Sequence, residues 1–90
     1  MIHSPDLSFF QQIVKQGSLS AAARELGITP AAVSKRLARI EETLGVALVR
    51  RTTRRLSLTD EGEQFLASAR RILTDLEEME QQVAQNRHAP

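Results

Sequence analysis

The sequence predicts a mainly α-helical protein: a winged helix-turn-helix with a short two-stranded β-wing and a long C-terminal linker helix. Three observations predict it. Residues 18–45 hold two helical patterns separated by Gly27-Ile28-Thr29-Pro30. Residues 46–58 lose that periodicity and place short strand-like segments on either side of an arginine-rich run. From Phe65 onward the apolar positions step by four, three, four, three and four residues, which is a heptad seam.

Ser4-Pro5-Asp6 opens the first helix, with Ser4 as its expected cap, and Gly17 ends it. Leu7, Phe10, Ile13 and Val14 form its apolar stripe; Phe9 lies off the stripe and is expected to meet another element. Ser18 is placed to cap the second helix, because its hydroxyl can accept from N–H groups left free in the first turn. Leu19, Ala22, Ala23 and Leu26 follow at helical spacing, and the two alanines are small enough for close helix approach. Gly27 stops this helix, since glycine enters the left-handed region without a steric penalty. Ile28 is expected to tuck inward. Thr29 suits an N-cap and Pro30 the first helical position of the third helix.

That helix is predicted to run from Pro30 to about Leu44, with Val33, Leu37, Ile40 and Leu44 on one stripe. The other face carries Ala31, Ser34, Lys35, Ala38 and Arg39, small near its start and basic further along. Short side chains let a backbone near base edges, and cations suit phosphates, so this face fits a helix that lies against nucleic acid. Leu48-Val49 and Leu56-Ser57-Leu58 are the expected wing strands, and Arg50, Arg51, Arg54 and Arg55 lie between or beside them. An irregular basic loop is the alternative there, because the segment has no Gly or Pro to mark a turn. Arginine suits phosphate oxygens in either case, since its planar fork donates in pairs.

Thr59 is the expected cap of the last helix, and Asp60, Glu61 and Glu63 occupy a first turn where negative charge opposes the helix dipole. Gly62 is unfavourable there by about 1 kcal/mol relative to Ala, which predicts a close packing contact. The seam is Phe65, Ala69, Ile72, Leu76, Met79 and Val83, widened near the domain by Leu66 and Leu73. A helix of this reach is about 40 Å long, more than a small domain needs, so its distal half is expected to pair with a second copy; the alternative is a helix lying back on the domain core, and the two can hold at opposite ends. The predicted organisation is residues 1–58 as the winged helix-turn-helix, 59–87 as the linker and dimerisation helix, and 88–90 as a hinge remnant.

Composition narrows the function. Ninety residues support one small domain, and 41% hydrophobic content supplies a helical core for it. With no Cys, disulfides and thiolate metal sites are excluded and nothing points to secretion. No apolar run spans a bilayer and the N-terminal segment lacks signal-peptide character, so a cytoplasmic location is expected. Net charge is only +1, but residues 35–55 balance to +5 and residues 56–90 to −4. A basic middle beside an acidic tail marks a polyanion site with a separate role for the tail. Three Phe and no Tyr or Trp leave few stacking platforms for single strands, so duplex is the expected partner. No enzyme, metal site or cofactor is expected: His3 and His88 lie near the ends, and no nucleophile stands beside a base and an orienting acid. The rival reading is a coiled-coil interaction module without a nucleic-acid role, which leaves Arg50 to Arg55 unexplained.

These residues resemble the N-terminal DNA-binding region of a LysR-type transcriptional regulator. The matching features are Leu7, Phe10, Gly17-Ser18, Ala22-Ala23, Leu26, Ala32-Val33-Ser34, Leu37, Ile40-Glu41, Leu44-Gly45, Leu48, Arg51 and Leu58-Thr59-x-x-Gly62. A molybdate-regulator-like or MarR-like winged helix is the nearer alternative, and the Ala-Val-Ser and Leu-Thr-x-x-Gly pieces favour the LysR type. The resemblance implies homodimeric, sequence-specific binding to an interrupted inverted repeat near a promoter, and it leaves the oligomeric state of the full-length protein open, a tetramer being one option. It places Pro30, Ala31, Ser34 and Lys35 at the major groove, with Ser18, Thr29 and Arg39 in the DNA-binding set. Arg51 and Arg54 then approach the backbone and minor groove, and Thr53 completes the DNA-binding set. Many relatives have Gln at the position of Pro30 and Pro at that of Ala31; Pro30 offers no side-chain donor, so base choice must lean on Ala31, Ser34, Lys35 and DNA shape. Val49 stands where Phe is common. The family also carries a C-terminal effector domain, and the chain is expected to be the DNA-binding region alone.

Overall fold

The computed structural model describes residues 1–50 and 55–86. Its elements are α1 (Ser4–Gln16), α2 (Leu19–Leu26), α3 (Pro30–Leu44), β1 (Val49–Arg50), β2 (Ser57–Leu58) and α4 (Asp60–Asn86). Phe10, Ile13, Val33, Leu37, Ile40 and Leu48 are the largest fully enclosed side chains, so one core joins α1, α3 and the approach to β1.

The cap of α1 is His3 rather than Ser4, which already lies in the helix with Pro5. Asp6 explains the shift: its carboxylate accepts the His3 N–H at 2.9 Å, the reach of a third-position acid to the residue before the helix. Ser18 and Thr29 cap as expected, accepting from Ala21 N–H at 3.0 Å and Ala32 N–H at 3.1 Å. Gly27 takes a φ of 69°, and the Ile28 N–H turns back to the Ala23 carbonyl at 3.0 Å. Ile28 does not tuck inward; it stays 40% exposed, because the turn closes through its backbone rather than its side chain. Leu44 also leaves the predicted stripe, at 39% exposure. It is the last residue of α3, and Leu48 and Val49, just past the Gly45 turn, take the buried places instead.

The wing forms, with β1 one residue later and β2 one residue shorter than composition suggests. β1 and β2 pair antiparallel, Val49 opposite Leu58 and Arg50 opposite Ser57. Leu48 still meets the returning chain, its carbonyl accepting the Thr59 N–H at 3.0 Å, while Leu56 turns its amide away from the hairpin. The Leu48 N–H donates to the Glu41 carboxylate at 2.7 Å, and the Leu56 N–H donates to the Gly17 carbonyl at 3.0 Å.

Thr59 does two tasks at the start of α4. Its hydroxyl oxygen accepts the Gly62 N–H at 2.9 Å and its hydroxyl donates to the Ala47 carbonyl at 2.7 Å. Gly62 is the expected close contact: a Cβ there would overlap the Leu48 carbonyl oxygen. Phe65 packs edge-on against Phe10, ring centroids 5.1 Å apart at 85°, and Leu66 and Ala69 are buried. Leu73 and Leu76 still line a groove with Pro5, Phe9 and Gln12 of α1; beyond them α4 leaves the domain, and the longest dimension of the molecule reaches 57 Å.

Candidate nucleic-acid interface

The interface is built on α3. Val33, Leu37 and Ile40 lie fully inside, which turns the opposite side of the helix outward. Thr29, Pro30, Ala31, Lys35, Ala38 and Arg39 are exposed on it, and Ser34 is half-buried at its edge. The helix starts at this surface, and its dipole adds positive partial charge there. Ser18, half-buried, caps α2 at the other half of the motif. Arg50 and Arg55 are exposed at the wing. Arg51, Thr53 and Arg54 lie outside the described residues.

Two side chains of α3 act differently from what their charge suggested. Arg36 was counted with the basic block, yet its guanidinium turns away from that block and onto α1. It stands 4.4 Å over the Phe9 ring, donates to the Pro5 carbonyl at 3.3 Å and pairs with Asp6 Oδ1 at 3.9 Å. This is the contact that the off-stripe position of Phe9 anticipated, but a partner 27 positions away left no local signal. Glu41, counted against the basic block, accepts from the amides of Leu48 and Val49 at 2.7 and 3.3 Å, tying the wing to the recognition helix. Its one visible signal is position: an acid placed between Ile40 and Leu44 on the apolar side of a helix.

The predicted seam divides in two. Ala69 is 0% exposed within its own chain and has no surface left for a partner; Phe65 is engaged with Phe10. Both lie where α4 crosses α1. Ile72, Leu76, Met79 and Val83 remain 47%, 36%, 51% and 63% exposed, an apolar strip along the distal half. Among the described residues no group of His, Asp or Glu could hold a metal ion, and no helix is long and apolar enough to cross a membrane.

A three-helix core with a capped, outward-facing third helix and a hairpin tied to it defines a winged helix-turn-helix DNA-binding domain. Residues 5–63 match the profile of the bacterial regulatory helix-turn-helix proteins of the lysR family. The chain belongs to that family. It is 44% identical over 85 residues to the HTH-type transcriptional regulator DmlR of Escherichia coli (strain K12), covering 94% of this chain and 28% of that protein. It is 52% identical over 69 residues to the probable HTH-type transcriptional regulator LtrA of Klebsiella pneumoniae, covering 77% and 22%. Among solved structures, the BenM DNA-binding domain in complex with benA site 1 DNA superposes with a TM-score of 0.91 at 26% identity, covering 99% of this chain and 100% of that one. The CbnR DNA-binding domain–DNA complex gives 0.87 at 28% identity, covering 97% and 100%. The chain thus spans about a quarter of the length of the curated relatives it matches.

Proposed function

We propose that this chain regulates transcription in the cytoplasm by reading double-stranded DNA as a homodimer, without a cofactor in this part of the protein. Residues 1–58 read the DNA, residues 59–87 link and dimerise, and residues 88–90 begin the hinge. Ala31, Ser34 and Lys35 reach base edges in the major groove, with Pro30 shaping the approach. Ser18, Thr29 and Arg39 meet the phosphate backbone, and Arg51, Thr53 and Arg54 extend that contact from the wing. The strip Ile72, Leu76, Met79 and Val83, with the exposed edge of Phe65, covers its twin. Two recognition helices then face an interrupted inverted repeat, and two such dimers form a tetramer in the longer protein.

One observation carries the reading: the outward face of α3 presents small residues at its start and Lys35 and Arg39 further along, while Val33, Leu37 and Ile40 hold the other face in the core. The relatives solved with DNA support it. Selection of bound duplexes from a random library tests it, and an enriched inverted repeat is expected. With about four phosphate contacts per subunit, log K against log salt should fall with a slope near about −7 for the dimer. A slope near zero would remove the polyanion reading.

A further inference from the structure

Arg36 sits one residue after Lys35 on the recognition helix, where a cation would ordinarily be assigned to a phosphate. The geometry points to another role: we propose that Arg36 is a positioning residue that fixes the roll of α3 against α1 and so sets base discrimination without touching DNA. The proposal rests on the DNA-reading role of α3 given above.

Three contacts hold the guanidinium, and all three belong to the first turns of α1. The Phe9 ring lies under it at 4.4 Å, the Pro5 carbonyl accepts from Nη2 at 3.3 Å, and Asp6 Oδ1 stands 3.9 Å from the same nitrogen. The platform is itself fixed. Phe9 is 3% exposed, and the other Asp6 oxygen accepts the His3 N–H at 2.9 Å. A planar guanidinium can stack on a ring and donate in its own plane at once, which an ammonium cannot do.

The position on the helix gives these contacts their leverage. Val33, Leu37 and Ile40 make one apolar stripe that sets coarsely which face of α3 is buried, and the remaining small roll about the helix axis is what a contact beside the stripe can restrain. Arg36 lies beside the stripe, and its side chain spans to a different helix, so it resists that rotation. The base-reading side chains project from the same backbone, Lys35 being its immediate neighbour. Recognition geometry has to be held within about 0.5 Å or 10–20°, so a small roll of α3 is enough to misplace Ala31, Ser34 and Lys35 together.

The test compares wild type with Arg36→Gln, Arg36→Lys and Asp6→Asn on two duplexes of equal length: the selected operator and a scrambled sequence of the same composition. A positioning role predicts that Arg36→Gln weakens operator binding about tenfold, leaves scrambled-duplex binding within about twofold, and leaves the salt slope unchanged. Asp6→Asn alters only the platform on α1 and should reduce discrimination in the same direction; Arg36→Lys should restore it only in part. A phosphate contact predicts the reverse pattern: equal losses on both duplexes, a slope shallower by about 2 for the dimer, and full rescue by Lys. That pattern overturns the proposal, as does unchanged discrimination in Arg36→Gln. Thermal melts accompany every titration, and if Arg36→Gln does not fold, Asp6→Asn decides alone: retained discrimination there also overturns it. Wild-type protein that binds neither duplex would instead defeat the DNA-reading role itself.

Discussion

Gly62→Ala sets two effects of opposite sign against each other. On helix propensity alone the substitution stabilises, since Ala is better than Gly in a helix interior by about 1 kcal/mol. In this fold the new Cβ would overlap the Leu48 carbonyl oxygen and come within 2.9 Å of the carbonyl carbon and 3.3 Å of Cα. These are backbone atoms, and they are held from both sides. The Leu48 N–H donates to Glu41 at 2.7 Å, its carbonyl accepts the Thr59 N–H at 3.0 Å, and its side chain is 1% exposed. Relief requires α4 to move outward or the Leu48–Thr59 bond to break. Overpacking costs about 1–3 kcal/mol and a lost hydrogen bond about 1 kcal/mol. Subtracting the propensity gain leaves a net destabilisation of about 2 kcal/mol. For a domain of this size that lowers Tm by about 8–16 °C. Thermal and urea unfolding of both proteins, at one shared concentration because dimerisation would otherwise shift the midpoint, measures the difference. A Gly62→Ala protein as stable as wild type would refute the reasoning, because it would show that the Leu48 backbone yields freely.

Three other substitutions separate the roles assigned above. Glu41→Ala strips the acceptor from two amides at the start of the wing and should cost about 1–3 kcal/mol in urea unfolding; an unmoved midpoint would mean that water serves those amides equally well. Lys35→Ala should relax preference at one or two base positions per half-site by about 1–3 kcal/mol, read from binding to a panel of single-base operator variants. Equal losses on operator and random duplex would assign Lys35 to phosphate instead. Leu76→Arg, in the exposed strip, should give a folded monomer by sedimentation, with full-operator binding falling to near the half-site level. Normal full-operator binding by that variant would show that the strip serves something other than dimerisation.

The helices and most of their ends were legible because their causes are local; the start of α1 was misplaced by one residue although its cause, Asp6, is local too. Ser18, Thr29 and Thr59 each cap through a residue three positions on, and Gly27 ends α2 through its own backbone, so neighbours in sequence suffice to find them. Gly62 was legible as a misfit: a poor helix former in a first turn had to be tolerated for a steric reason, and Leu48 is that reason. What failed was tertiary. Arg36 and Glu41 carry charges that composition assigns to solvent or ligand, and only the assembled fold shows that α1 and the wing take them. The end of β2 failed for the same cause, since the Leu56 amide bonds to the Gly17 carbonyl, a partner that periodicity cannot bring to it. The face of α3 was legible because Val33, Leu37 and Ile40 specify it by subtraction.

The two ends of the wing are fastened to different parts of the helix-turn-helix rather than only to each other. Glu41 of α3 holds the outgoing end at Leu48 and Val49, and Gly17, immediately before the α2 cap, holds the returning end at Leu56. The stem therefore stays in place whatever the tip contains. Extra residues inserted between such anchors cost little closure entropy, with each doubling of loop length adding only about 0.6 kcal/mol. On the DNA-reading role proposed above, a change of length between the two anchors is therefore expected to leave the orientation of α3 unaltered.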